Sequence, residues 1–245
     1  MYNIISMAIK PNSFEYNLLF ILIVIVITTT LILSAYLGKE VLKKRKEMGY
    51  LSIDFLFGNF IALSFLFISR LFYMYFDFFL TEFDTSKYYL PENIWWYKVG
   101  GLIYLMGFSF LIFVIDRNLL NFKLKGLLSY IILGIALIVF FYPVNNAADF
   151  EFISAFEALA FFIALLFPAI FFYIGTKTPG LRVISYIFAI GLLLFYVGVA
   201  IVAEFILAPL RESFGNGIQV IIWIISLILQ IIGLFSMTYA ATKFK

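Results

Sequence analysis

The stretch that decides the fold runs from Asn17 to Leu37 and reads NLLFILIVIVITTTLILSAYL. It contains no charged residue. At about 1.5 Å rise per residue, a helix of this length crosses the hydrocarbon core of a bilayer, which is about 30 Å thick. Backbone amides inside hydrocarbon must be satisfied within the segment, so a helix is expected. Since 64% of the 245 residues are hydrophobic and only 13% are charged, the sequence predicts an integral membrane protein.

Six more apolar stretches follow the first one. We therefore predict an all-α bundle of seven transmembrane helices that forms one domain over residues 1–245. The fourth span reaches full length only if it begins at Leu124, and the second is expected to continue towards Leu80. The predicted spans are 17–37, 51–73, 94–115, 124–142, 152–174, 181–207 and 218–239.

The basic residues predict the orientation of the bundle, because cytoplasmic loops carry an excess of lysine and arginine. Of the 17 lysines and arginines, twelve fall on one side of the predicted spans. This places the N-terminus outside and the C-terminus in the cytoplasm of a multi-pass cell-membrane protein. The twelve are Lys39, Lys43, Lys44, Arg45, Lys46, Arg117, Lys123, Lys125, Lys177, Arg182, Lys243 and Lys245.

Polar residues inside the spans are the candidates for a ligand site, because a charge in hydrocarbon costs at least about 2.5 kcal/mol. Several lie near the outer ends of the spans, and those of span seven recur at helical spacing. They predict an outward-opening pocket. The alternative is a set of ion pairs that fixes helix packing. The candidate ligand-binding residues are Arg70, Asp77, Glu157, Glu204, Gln219, Trp223 and Gln230.

A second group of candidates lies on the predicted cytoplasmic side. Span three ends in Asp116 and Arg117, an acid–arginine pair similar to the switch pair of G-protein-coupled receptors. Asp54, at the start of span two, is expected to pair with a cation of the first loop. These three residues are candidate switch or partner contacts; the alternative is that the basic ones only determine topology.

Composition excludes several classes of function. The chain has no cysteine and no histidine, which removes disulfides, cysteine- or histidine-ligated metals and histidine-based catalysis. Span seven has no lysine between Ile218 and Tyr239, so covalent retinal is excluded. We expect no metal, no other cofactor, no nucleic-acid partner and no enzymatic activity.

Three segments carry a family resemblance: Ser69–Tyr73, Val114–Asn118 and Lys177–Arg182. In size, topology and these segments the chain resembles the stand-alone seven-transmembrane proteins of archaea. These are related in layout to the membrane sensor modules of prokaryotic histidine kinases and share only their topology with rhodopsins. The resemblance covers the transmembrane region, and the family has no settled activity. It implies a receptor-like or sensor-like role.

The sequence therefore predicts a receptor-like membrane sensor. It would bind an unknown small-molecule ligand from outside and signal to a separate cytoplasmic or membrane partner. Two alternatives stay open: a transporter or channel for a small solute or ion, and a structural subunit of a membrane complex. The lipid bilayer is a partner in each case.

Overall fold

The computed structural model describes residues 13–202, 204–215 and 217–244. Within these ranges the regular elements are helices, and no strand occurs. A π-helical turn, Phe76–Thr81, continues α2, and short 3-10 turns lie at Thr85–Lys87 and Pro179–Leu181. The α-helices of the described chain are α1 (Phe14–Met48), α2 (Phe55–Tyr75), α3 (Pro91–Leu119), α4 (Leu127–Phe141), α5 (Ala147–Ala164), α6 (Leu166–Lys177), α7 (Arg182–Ala200), α8 (Glu204–Phe214) and α9 (Gly217–Lys243).

Six helical segments of the described chain are long and apolar enough to cross a membrane. The chain is thus an all-helical, multi-pass membrane protein. The helices α5 and α6 together form one of the six segments. The segments are Phe14–Met48, Phe55–Thr81, Pro91–Leu119, Ala147–Lys177, Pro179–Ala200 and Gly217–Lys243.

The predicted fourth span is shorter than expected. Helix α4 is apolar but has 15 residues, about 22 Å at the usual rise. It starts at Leu127 because the preceding loop is held in another conformation, with Lys125 and Gly126 at positive φ. The carboxylate of Asp116 accepts hydrogen bonds from the backbone N–H groups of Leu124 (3.0 Å) and Gly126 (2.7 Å). These bonds keep residues 124–126 out of the helix.

The predicted sixth span, 181–207, is wrong in its second half. Helix α7 ends at Ala200, and a separate short helix, α8, begins at Glu204. Pro209 lies inside α8, after the break, where it removes one backbone hydrogen bond of this short helix. Apolar residues continue across the break, which is why hydropathy alone joined the two parts.

The predicted fifth span is interrupted. Its helix breaks at Leu165, between α5 and α6, three residues before Pro168. A proline has no N–H for the carbonyl four residues earlier, which accounts for the break at this point of the span. Helix α2 begins later than predicted, at Phe55, because the Asp54 side chain accepts from the Phe57 N–H and caps the helix.

Helix packing defines two ends of the bundle. We call the end at which α1 and α9 begin the cavity end; there Tyr16 of α1 donates a hydrogen bond to the Phe78 carbonyl (2.7 Å). At the opposite end, aromatic rings from α2, α6, α7 and the residue that follows α9 pack together. These rings are Phe55, Phe171, Phe188 and Phe244.

Candidate functional site

A cavity of about 470 Å³ lies at the cavity end, between α1, the end of α2, α8 and α9. Its volume is within the range of small-molecule sites, roughly 300–1,000 Å³. Five of the seven residues predicted to bind a ligand line it. They are Arg70, Asp77, Gln219, Trp223 and Gln230.

The floor of the cavity is a chain of hydrogen bonds across three helices. Nη2 of Arg70 on α2 donates to Oε1 of Gln230 on α9 (2.7 Å). Gln230 Nε2 donates to the Ser226 hydroxyl (2.9 Å), which donates to the Gly198 carbonyl of α7 (2.7 Å). A Cβ at Gly198 would lie 2.9 Å from the Ser226 carbonyl oxygen, so only glycine allows this approach. The floor therefore joins α2, α9 and α7.

Arg70 has N–H groups at this floor that could donate further hydrogen bonds. A guanidinium has five N–H donors, and among the described residues Arg70 makes one hydrogen bond, to Gln230. Its Nε is buried without a hydrogen-bond partner. Its guanidinium lies over the Phe195 ring, 5.8 Å from the centroid. Among the described side chains, no carboxylate lies within 4 Å of it.

One wall of the cavity is apolar and comes from α1. It consists of Leu19, Leu22, Ile23 and Val26, spaced for one face of a helix. This wall could not be predicted from the sequence. Because α1 is apolar on every side within its span, no stripe distinguishes the cavity face from the lipid-facing one, on which Ile21 and Ile25 are exposed.

The mouth of the cavity is polar. Asp77 lies two turns beyond Arg70 on the same helix, and Arg211 of α8 donates to Gln219 Oε1 (3.0 Å). The loop between α2 and α3 adds Thr85 and Tyr88 to the rim.

An aspartate caps this rim loop. Asp84 accepts hydrogen bonds from the hydroxyl (2.6 Å) and the backbone N–H (3.0 Å) of Ser86. These bonds stabilise the charged carboxylate and hold the pKa of Asp84 below its usual range. The loop that carries Thr85 is thereby fixed beside the mouth.

Glu157 lies outside this cavity, in a separate cluster between α2, α3 and α5. The Tyr97 hydroxyl donates to Glu157 Oε2 (2.7 Å), and the Tyr73 hydroxyl lies 3.4 Å from each carboxylate oxygen. Ser154 is 3.3 Å from the Tyr97 hydroxyl. The structure thus does not pair Glu157 with Arg70, although Arg70 and Tyr73 are one turn apart on α2.

The side chain of Glu204 lies outside the described residues, although its backbone begins α8. Within the ranges that the structure describes, no three acidic or other ligating side chains form a group that could hold a metal ion.

The predicted cytoplasmic residues differ in their contacts. Asp54 caps α2 and forms an ion pair with Lys44 of α1. Asp116 is 2% exposed and is engaged by the loop before α4, whereas its neighbour Arg117 is exposed. The acid–arginine pair is therefore split between a buried loop anchor and a surface cation.

No protein-family model, curated protein or solved structure matches the chain. The resemblance to archaeal seven-transmembrane proteins accordingly stays a prediction, and the function is argued from the site alone.

Proposed function

We propose that the protein is a receptor-like membrane sensor whose ligand binds in the cavity lined by Arg70 and Trp223. The observation that carries the proposal is the construction of the cavity floor. A ligand that contacts Arg70 or Gln230 competes with a hydrogen-bond chain that joins α2, α9 and α7. A ligand shifts a conformational equilibrium only by its differential affinity for the two states. Here the two states would be the bundle with the hydrogen-bond chain of the floor intact and the bundle with that chain broken by the ligand.

The proposal includes seven crossings, with α4 as a short fourth one, and the cavity end outside the cell. Two features support it: the excess of basic residues on the opposite side and the apolar character of α4. A ligand would then enter from outside. Its effect would reach a separate partner through helix ends and loops on the cytoplasmic side.

A sensor is favoured over a transporter because, among the described residues, the space beneath the cavity floor is small and mostly apolar. Beneath the floor lies a small space of about 40 Å³, and most of its lining is hydrocarbon or aromatic. Transport paths have polar or ionisable groups near the middle of the membrane. Among the lining residues described there, the polar atoms are tyrosine hydroxyls, those of Tyr104 and Tyr196.

A thermal stabilisation screen tests the proposal. The purified protein, in phosphatidylcholine nanodiscs, is heated with soluble organic acids, amines, alcohols and sugars. A compound that binds the folded state at 100 times its Kd stabilises it by about 2.7 kcal/mol. We expect at least one class to raise the melting temperature.

A matched pair of variants locates the binding. Val26 lines the cavity, while its neighbour Ile25 is 40% exposed on the outside of α1. Val26→Phe should abolish the stabilisation, whereas Ile25→Phe should retain it. Equal stabilisation in both variants, or none from any class in the wild type, would favour a structural subunit. Counterflow of the stabilising compound in proteoliposomes would favour a transporter.

A further inference from the structure

The charges and walls of the cavity favour one class of ligand, an inference that rests on the proposed ligand site. We propose that the cavity binds a small organic monoanion with an apolar body, its anionic group held by Arg70 at the floor and its body against α1 and Trp223.

The anionic group follows from the state of Arg70. Within the part of the chain that the structure describes, the guanidinium donates one hydrogen bond, to a neutral amide, and its Nε is buried without a partner. A buried cation is stable when paired and hydrogen-bonded, and no described carboxylate lies within 4 Å of this one. Carboxylates and related anions match the planar fork of a guanidinium with two parallel hydrogen bonds. Since Arg70 lines the cavity, its other guanidinium N–H groups can donate to an anionic group of the ligand, which would supply the charge partner that the described residues do not.

The apolar body follows from the walls. The α1 side of the cavity is purely aliphatic, and the indole of Trp223 and Leu227 continue the apolar lining on α9. An inorganic anion or a sugar would leave this surface in contact with water. Burial of apolar area stabilises a complex by roughly 25 cal/mol per Å². The apolar body of an amphipathic ligand would therefore be stabilised by contact with both α1 and α9.

The residues at the mouth of the cavity favour a ligand with a single negative charge. Asp77 lines the cavity two turns nearer the end of α2 than Arg70. A second negative charge at the outer end of the ligand would lie beside the Asp77 carboxyl group, and the guanidinium of Arg211 on the same rim is already hydrogen-bonded to Gln219 (3.0 Å).

The depth of Arg70 in the membrane favours a soluble ligand over the headgroup of a bilayer lipid. Arg70 lies in a helical segment that ends at Thr81, about 16 Å away at the usual rise per residue. That segment has 27 residues, about 40 Å, against a hydrocarbon core of about 30 Å. If the segment is centred, Arg70 lies about 10 Å inside the edge of the core, deeper than lipid headgroups sit.

Trp223 supplies a direct readout. The probe is 6-bromohexanoate, whose bromine quenches tryptophan fluorescence at contact. The protein is held in phosphatidylcholine nanodiscs, with Trp95→Phe and Trp96→Phe introduced so that Trp223 is the remaining tryptophan of the three. We expect saturable quenching that hexanoate reverses. Hexan-1-ol and hexylamine, which have the same chain length but no negative charge, should not reverse it, and acetate should compete only weakly.

Two substitutions at Arg70 test the contact. Arg70→Gln should weaken 6-bromohexanoate binding by about tenfold or more, the usual loss of a hydrogen bond to a charged group. Arg70→Lys should retain part of the affinity. Competition by hexanoate, hexan-1-ol and hexylamine is measured in protein that retains Arg70. The test of the charge therefore stands even if Arg70→Gln fails to fold.

The outcomes separate the inference from the proposed function. Equal competition by the alcohol or the amine, or unchanged affinity in folded Arg70→Gln protein, would rule out an anionic ligand. The proposed ligand site itself would not be contradicted by this result. Quenching by a headgroup-brominated phosphatidylglycerol that requires Arg70, without an effect of hexanoate, would assign the site to a lipid and overturn the inference. If no class of compound in the thermal screen binds, the proposed function itself fails.

Discussion

Gly101 determines where Glu157 lies. A Cβ at position 101 would be 2.1 Å from Glu157 Oε1, closer than any real contact. The missing side chain on α3 therefore makes the space into which the α5 carboxylate fits beside Tyr97. Sequence alone shows the glycine and the glutamate but not their contact, because 56 positions separate them along the chain.

Gly101→Ala should therefore destabilise the protein by about 1–3 kcal/mol, the usual cost of overpacking, and lower its melting temperature in nanodiscs. Gly134 of α4 is the control, since nothing lies within 4 Å of a Cβ there. Gly134→Ala should be neutral or slightly stabilising, because alanine favours helix. An equal loss in both variants would show that the Glu157 contact is not the cause.

The two tyrosines beside Glu157 should contribute unequally. Tyr97 donates over 2.7 Å, whereas the Tyr73 hydroxyl lies 3.4 Å from either oxygen, beyond the usual O–H···O range. Tyr97→Phe should lower the free energy of unfolding by about 1–3 kcal/mol, and Tyr73→Phe by clearly less. Chemical denaturation of both variants in mild detergent measures this. The reverse order would contradict the hydrogen-bond assignment.

The spacing of single residues predicted part of the site and could not predict the rest. Gln219, Trp223 and Gln230 share a helix face, which the sequence reveals through its 3.6-residue period, and the structure brings them to one cavity. The unpartnered Nε of Arg70 and the separation of Arg70 from Glu157 depend on contacts between distant segments, which no local pattern encodes.

At the scale of secondary-structure elements, the start of α4 depends on a residue of α3. Asp116 is buried and accepts both N–H groups that shape the turn before α4. Sequence predicted the helices well, because apolar runs of spanning length are explicit. It missed the breaks after Ala200 and before Leu127, because a terminus set by a distant carboxylate or a short kink leaves hydropathy unchanged.

Asp116→Asn should destabilise the protein by about 1–3 kcal/mol, because the amide can accept at only one of its two atoms and leaves a buried N–H unpaired. Hydrogen exchange should become faster in residues 120–127. Arg117→Gln changes the exposed neighbour and should leave stability within about 0.5 kcal/mol. If Asp116→Asn keeps full stability, Asp116 is not a loop anchor, and a switch role gains support.

At the scale of the whole molecule, the apolar stretches predict the number of crossings and the basic residues predict the orientation, and cysteine labelling tests both. The chain has no cysteine, so single cysteines can be introduced at exposed loop positions. Ser86→Cys and Asn145→Cys should react with an impermeant maleimide on intact cells. Lys123→Cys and Lys243→Cys should react only after permeabilisation.

The Asn145 site decides whether α4 crosses the membrane. If Asn145→Cys and Lys123→Cys are labelled from the same side of the membrane, this short helix does not span, and six crossings remain. Labelling of Lys123→Cys on intact cells, with Ser86→Cys protected, would invert the predicted orientation and place the cavity mouth in the cytoplasm.

The central claim is that occupation of the cavity moves helices at the opposite end through the Arg70–Gln230–Ser226 floor. Spin labels at Val183, at the start of α7, and at Leu127, at the start of α4, occupy exposed positions at that end. Their separation is measured with and without a compound that stabilises the wild type in the screen. We predict a shift of about 1–2 Å, the usual scale of helix shifts in switching, that is absent in Val26→Phe. An unchanged distance at saturating compound, or the same shift in Val26→Phe, would contradict the claim.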